Sequence, residues 1–132
     1  MCPTLDYLME VGDLLNPDLP DYDLVESNRS KIVWSSGKVP CIDICIKDNR
    51  GVYYSGDTVI TAYIHELAHL LTPGHSHDSV FHDIQDSMIK KAIALNIISE
   101  NYQVDESYPS TMWVSKGRSV SVPKGYVPEE AI

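Results

Sequence analysis

The chain has 132 residues, of which 43% are hydrophobic and 22% charged, and this size and composition are typical of one globular domain. Its formal net charge of -9 argues against direct binding to nucleic acid, because neutralising phosphates requires clustered Lys and Arg. Three cysteines are too few for a disulfide framework, and no stretch reaches the roughly 20 apolar residues of a membrane span. We therefore expect a soluble, unsecreted protein of a reducing compartment.

The first third of the sequence predicts one helix and one strand. Leu and Met side chains at mostly helical spacing, followed by an Asn-Pro stop, indicate a short amphipathic helix over residues 4–15. Residues 16–30 hold two prolines and many acidic side chains, which favours a solvated connection. Residues 31–34 contain Ile, Val and Trp and predict a strand.

A turn sequence predicts a β-hairpin in the middle of the chain. Residues 48–51 read Asp-Asn-Arg-Gly and separate an Ile- and Cys-rich run at 41–47 from an aromatic run at 52–54. We expect these two runs to pair with each other. Cys41 and Cys45 would lie on one face of such a strand, which favours core thiols over metal ligands.

Two helices should follow the hairpin. Capping residues at 56–58 and a Pro-Gly stop at 73–74 predict a helix that ends near Leu71. Asp78 is a suitable N-cap for a second helix, which we expect to run to Ser99.

The C-terminal part of the chain shows no comparable pattern. Residues 109–132 should form a mostly irregular tail, with a short strand near residues 120–122. Since neither an internal repeat nor a second domain is visible, we expect a single domain over residues 1–132 with its core at about 31–108.

The predicted first helix after the hairpin carries the sequence HELAH at residues 65–69, an H-E-x-x-H pattern. Residues four apart lie on one face of a helix, so His65 and His69 can reach the same metal ion. Glu66 is close enough to act on a water beside that ion without being a ligand. The pattern therefore predicts two zinc-binding histidines and a catalytic acid/base.

A catalytic zinc site needs a third protein ligand and an open fourth position. All five histidines lie within residues 65–82. His75 has the offset of the longer metzincin motif, but Thr72 stands where that motif requires glycine. His77 directly precedes Asp78, which can cap the second helix and so orient the loop. We expect His77 to be the third ligand, with His75 as the alternative.

Three other side chains are weaker candidates. His82 is better suited to an exposed or supporting role than to ligation. Tyr102 or Tyr108 could stabilise an oxyanion, although a tyrosine in a tail usually packs its ring and hydrogen-bonds its hydroxyl group.

Residues 41–108, about half of the chain, resemble the SprT-like and WLM-type (Wss-one-like metalloprotease) zinc metallopeptidase domains, in particular small predicted metallopeptidases of large DNA viruses and phages. In these relatives a His followed four positions later by a Phe supplies the third ligand, which corresponds here to His77 and Phe81. The matching segments are CIDICIKDNRGVYY, ITAYIHELAHLL, GHSHDSVF and IQDSMIKKAIALNII.

The resemblance implies an α+β fold, a minimal zincin-like domain whose short β-sheet and hairpin pack on the active-site helix and a second long helix. It implies a Zn²⁺-dependent metalloendopeptidase whose peptide or protein substrate lies along the hairpin edge, acting in the host cytoplasm or the virion, with viral or phage assembly partners. The cellular relatives cleave proteins crosslinked to DNA, but this chain lacks their basic extension. We therefore expect no direct contact with nucleic acid or membrane.

Two alternatives to an enzyme remain at this point. The first is a structural or virion-assembly protein that keeps the zincin fold and the metal but not proteolysis. The second is a regulatory module that binds a partner through its acidic surface, with an affinity that falls as salt rises. Glu66 favours the enzyme, since a purely structural metal site does not need that carboxylate.

Overall fold

The computed structural model describes residues 3–105, 107–109, 114–115 and 118–119, which form a small α+β fold. The strand predicted near residues 120–122 lies outside the described residues. The elements in chain order are α1 Leu5–Leu15, β1 Asp23–Glu26, β2 Lys31–Val33, β3 Cys41–Ile44, α2 Gly56–Leu71, α3 Ser79–Ala94 and a short antiparallel pair, β4 Val114–Ser115 with β5 Arg118–Ser119.

Helix α1 has the predicted bounds. The Thr4 side chain accepts a hydrogen bond from the Tyr7 backbone N–H at 3.1 Å and caps the helix. Leu8, Val11 and Leu15 recur at helical spacing and are buried, so that one face of α1 packs on the rest of the domain.

The three-stranded sheet has the order β1-β3-β2, with β1 parallel and β2 antiparallel to β3. Our prediction that residues 16–30 form only a solvated connection is wrong, because β1 lies within them. Only Leu24 of β1 is half-buried and its neighbours are exposed. Backbone pairing with a strand that is distant in sequence holds this exposed edge strand in place. Its residues therefore need no alternation of apolar and polar side chains, which is the pattern that predicts a strand from sequence.

The predicted hairpin forms, but in a reduced version. Its turn is held by Asp48, whose backbone N–H donates to the Val52 carbonyl at 2.8 Å, and a single bridge joins Lys47 to Tyr53. Cys41–Ile44, at the start of the predicted hairpin strand, is instead the centre of the sheet and is paired on both sides. That segment therefore has no free edge for the substrate that we expected along the hairpin.

Helix α2 ends at Leu71 as predicted, but Ser55 rather than residues 56–58 provides its cap. The Ser55 side chain accepts from the Thr58 N–H at 3.2 Å. Almost every side chain from Thr58 to Leu70 is buried, because α2 contacts α1, α3 and the sheet. A helix enclosed on all sides holds its side chains in fixed positions.

Helix α3 begins after Asp78, as predicted, but it ends at Ala94 rather than at Ser99. Asn96 adopts a left-handed conformation with φ 60°, and the Ile97 N–H donates back to the Ala92 carbonyl at 2.8 Å. This is a Schellman-type ending, in which asparagine takes the position that glycine usually occupies.

One close approach fixes how α1 packs on α2. Gly12 lies against the Tyr63 hydroxyl group, which is hydrogen-bonded to the Tyr22 hydroxyl. A Cβ atom at position 12 would collide with Tyr63, so the absence of a side chain is required there.

Across the described part of the chain, no helix is long and apolar enough to cross a membrane.

Candidate metal centre

Three histidine rings converge at one end of the α2–α3 pair. His65 and His69 project from adjacent turns of α2, and His77 comes from the loop that joins α2 to α3. The Nε2 atom of His77 lies 3.1 Å from Nε2 of His69 and 3.2 Å from Nε2 of His65. The three side chains are therefore close enough to bind one metal ion.

The spacing of these nitrogens fits a small tetrahedral ion. Nitrogens that lie about 2.0–2.1 Å from a tetrahedral ion are about 3.3 Å apart. The two measured Nε2···Nε2 distances, 3.1 and 3.2 Å, are close to that value.

His75, the alternative third ligand, is not in this cluster. Its Nδ1 atom lies 2.6 Å from Oδ2 of Asp78, and both side chains are substantially exposed. The other carboxylate oxygen of Asp78 accepts from the Phe81 N–H at 3.0 Å and caps α3. The His75–Asp78 pair thus helps to hold the loop that carries His77.

Phe81 forms an apolar surface beneath the three imidazoles. Its side chain is fully buried, and its ring centroid lies 5.0 Å from that of His65, 4.4 Å from that of His69 and 4.9 Å from that of His77. Tight packing on one side limits rotation of the rings, which keeps their nitrogens directed at a common point.

His82 lies next to the cluster but is not part of it. The His82 ring centroid lies 6.3 Å from that of His77 and 5.4 Å from that of Phe81, and its Nδ1 atom has no hydrogen-bond partner among the described residues. His82 is half-buried. It packs beside the cluster and is not one of the three residues that could hold a metal ion together.

The electrostatic environment keeps the three imidazoles neutral. Burial, reinforced by the neighbouring histidines, holds the pKa of His65 well below its ordinary value. Burial and the charge of His77 lower the pKa of His69 to about 4, and burial also lowers the pKa of His77. Unprotonated imidazoles are the form that coordinates metal.

Glu66, the residue that follows His65 on α2, carries a buried carboxyl group. Its side chain is 1% exposed, and its Oε2 atom has no hydrogen-bond partner within the described part of the chain. Burial, together with the charge of Asp43, raises its pKa to about 8. A buried carboxyl oxygen without a partner is unfavourable for folding, which makes Glu66 a candidate for a chemical role.

The two tyrosines proposed for oxyanion stabilisation have different surroundings. The Tyr108 hydroxyl donates to the Cys45 carbonyl and contacts Ser30 Oγ, both at 2.5 Å, so it ties the C-terminal segment to the sheet. The Tyr102 hydroxyl is buried and has no hydrogen-bond partner among the described residues.

Cys41 and Cys45 carry free thiols and lie outside the histidine cluster.

Sequence reasoning missed Gln85. Its Oε1 atom lies 2.7 Å from Nδ1 of His65, and both side chains are buried. Gln85 follows Phe81 by four residues, so the two side chains lie on the same face of α3. That spacing is the signal from which the contact could have been suspected.

A comparison of the chain with known protein families, curated proteins and solved structures gives no match. The relation to the SprT-like and WLM-type domains therefore stays a prediction.

Proposed function

We propose that this protein is a zinc-dependent metallopeptidase. The observation that carries the proposal is the convergence of three neutral imidazole nitrogens, two of them from a helix that also carries the buried Glu66 directly after His65. Metallopeptidases use this combination because it separates the metal ligands from the group that moves protons.

His65, His69 and His77 would hold Zn²⁺. Imidazole nitrogens suit zinc, and three protein ligands leave one position of a tetrahedral ion open, which is the arrangement of catalytic rather than structural sites. When bound, the ion would act as a Lewis acid that polarises the scissile carbonyl group and acidifies a nearby water molecule.

Glu66 is the general base and acid of the proposed reaction. Its carboxylate takes a proton from the attacking water and returns it to the amine that leaves, so that no proton is gained or lost over the cycle. Without a metal ion, burial raises the pKa of Glu66 to about 8; a bound divalent cation would favour the ionised carboxylate that accepts the proton.

The proposed substrate is a peptide in an extended conformation. Strand addition to a sheet edge positions a scissile carbonyl mainly through backbone hydrogen bonds. Because β3 is paired on both sides, the strands with an outer edge are β1 and β2. The fold and the HELAH helix are compatible with a minimal zincin of the SprT-like and WLM type. The proposed enzyme would act inside a host cell or in a virion.

The test is cleavage of a denatured protein by the full chain. We expect cleavage that a chelator stops and added Zn²⁺ restores, and that Glu66→Gln abolishes while zinc content stays the same. Glu10→Gln, the same chemical change at an exposed position of α1, is the matched control and should cleave like the parent. A parent chain that binds zinc but cleaves nothing would favour the structural or assembly role.

A further inference from the structure

His65 differs from the other two histidines of the cluster in its access to water. Its side chain is 1% exposed, whereas His69 and His77 are half-buried. Water can satisfy the outer ring nitrogen of a half-buried histidine, but the outer nitrogen of His65 needs a partner within the protein. Gln85, itself 1% exposed, supplies that partner.

The identity of the contacting atom determines where the ring proton is. The Gln85 atom that lies 2.7 Å from His65 Nδ1 is the amide oxygen Oε1, which can only accept a hydrogen bond. With the amide in this orientation, which leaves Gln85 Nε2 without a partner among the described residues, Nδ1 of His65 would carry the proton and donate it. In a neutral imidazole the other nitrogen then has a free lone pair, and that nitrogen is the Nε2 atom which faces His77 at 3.2 Å.

Helix α3 thus contributes two functions to the site from one face. Phe81 packs beneath the three rings, and Gln85, one turn further along the helix, binds the outer nitrogen of the deepest ring. Both side chains are held by the packing of α3 against α2. Because Gln85 is fixed in this way, it favours one tautomer of the His65 ring even when no metal ion is bound.

We propose that Gln85 is a positioning residue that holds His65 in its Nδ1-protonated tautomer and thereby raises the metal affinity of the site. The inference rests on the proposed metal site, but it does not require peptide hydrolysis. Partners of this kind typically change metal affinity by about 10–100-fold when they are removed.

The experiment measures the zinc affinity of the full chain by competition with a chromophoric chelator. Gln85→Leu keeps the apolar bulk but removes the acceptor, and we expect it to weaken zinc binding by about 10–100-fold. Gln85→Glu keeps an oxygen acceptor and should bind zinc at least as tightly as the parent. Gln103→Leu, the same change at an exposed position, should leave the affinity unchanged.

Nitrogen NMR of the histidine rings gives a second measurement that a merely structural role would not affect. In chelator, the parent chain should show His65 protonated at Nδ1, and Gln85→Leu should show a mixture of tautomers. The proposal is overturned if Gln85→Leu binds zinc within about threefold of the parent, or if His65 of the parent carries its proton on Nε2. The parent spectrum decides the question even if the variant does not fold.

The outcomes also separate this inference from the proposed function. A parent chain that binds no zinc overturns both. A parent that binds zinc without cleaving peptides contradicts the metallopeptidase alone, and the effect of Gln85→Leu on affinity still supports the role of Gln85.

Discussion

Replacing Glu66 with glutamine should stabilise the protein in chelator while removing the proposed peptidase activity. The pKa of the buried Glu66 carboxyl group is raised from 4.5 to about 8, so the folded chain retains a proton that the unfolded chain releases. The folded pKa lies above the unfolded one, and the group therefore opposes folding increasingly as the pH rises from 4.5 to about 8. Below pH 4.5 both states are protonated and the effect disappears.

The size of the effect follows from the distance between the pH and the unfolded pKa. At pH 7 the distance is about 2.5 units, and each unit corresponds to about 1.36 kcal/mol, so the ionisable group lowers the free energy of unfolding by about 3 kcal/mol. Glutamine has a similar shape and no titration. The Glu66→Gln variant should therefore be more stable than the parent by about 3 kcal/mol at pH 7.

Urea denaturation in the presence of chelator, at pH 5 and at pH 7, measures this difference. The gain should be small at pH 5 and grow towards pH 7, and Glu10→Gln on the surface of α1 should show neither change. Added zinc should reduce the gain, because a cation beside Glu66 favours the ionised carboxylate. A variant that is no more stable than the parent at pH 7, or whose gain does not depend on pH, would refute the account of Glu66 as an unpaired buried acid.

Three further predictions concern the metal site and the packing of α1 on α2. Elemental analysis of protein purified without chelator should find about one zinc per chain. Free zinc at 100 times its Kd should add about 2.7 kcal/mol to the free energy of unfolding, and thermal melting with and without chelator detects this gain. In a zinc competition assay, His77→Ala should weaken zinc binding by more than the roughly 10–100-fold that is typical of removing a residue which hydrogen-bonds a ligand. His75→Ala removes only a loop contact and should weaken zinc binding much less. The reverse order would assign the third ligand to His75. Gly12→Ala should lower stability by about 1–3 kcal/mol because its methyl group meets the Tyr63 hydroxyl, and a Tyr63→Phe background, which removes that hydroxyl, should reduce the loss when both are measured by urea denaturation.

Much of the local structure could be predicted from the sequence, because it depends on interactions between residues a few positions apart. The bounds of α1, the end of α2 and the start of α3 follow from caps, turns and helical periodicity. The placement of His65 and His69 on one face of α2 follows from their spacing of four. These features do not depend on how the helices pack.

The remaining features depend on contacts between residues that are distant in sequence, and only the tertiary structure decided them. Strand β1 exists because it pairs with β3, and nothing within its own four residues indicates this. Spacing allowed either His75 or His77 to join His65 and His69, and the tertiary structure brings His77 to the cluster and leaves His75 against Asp78. Gln85 meets His65 across twenty residues of sequence, and such a contact follows from the packing of two helices rather than from the pattern of either one.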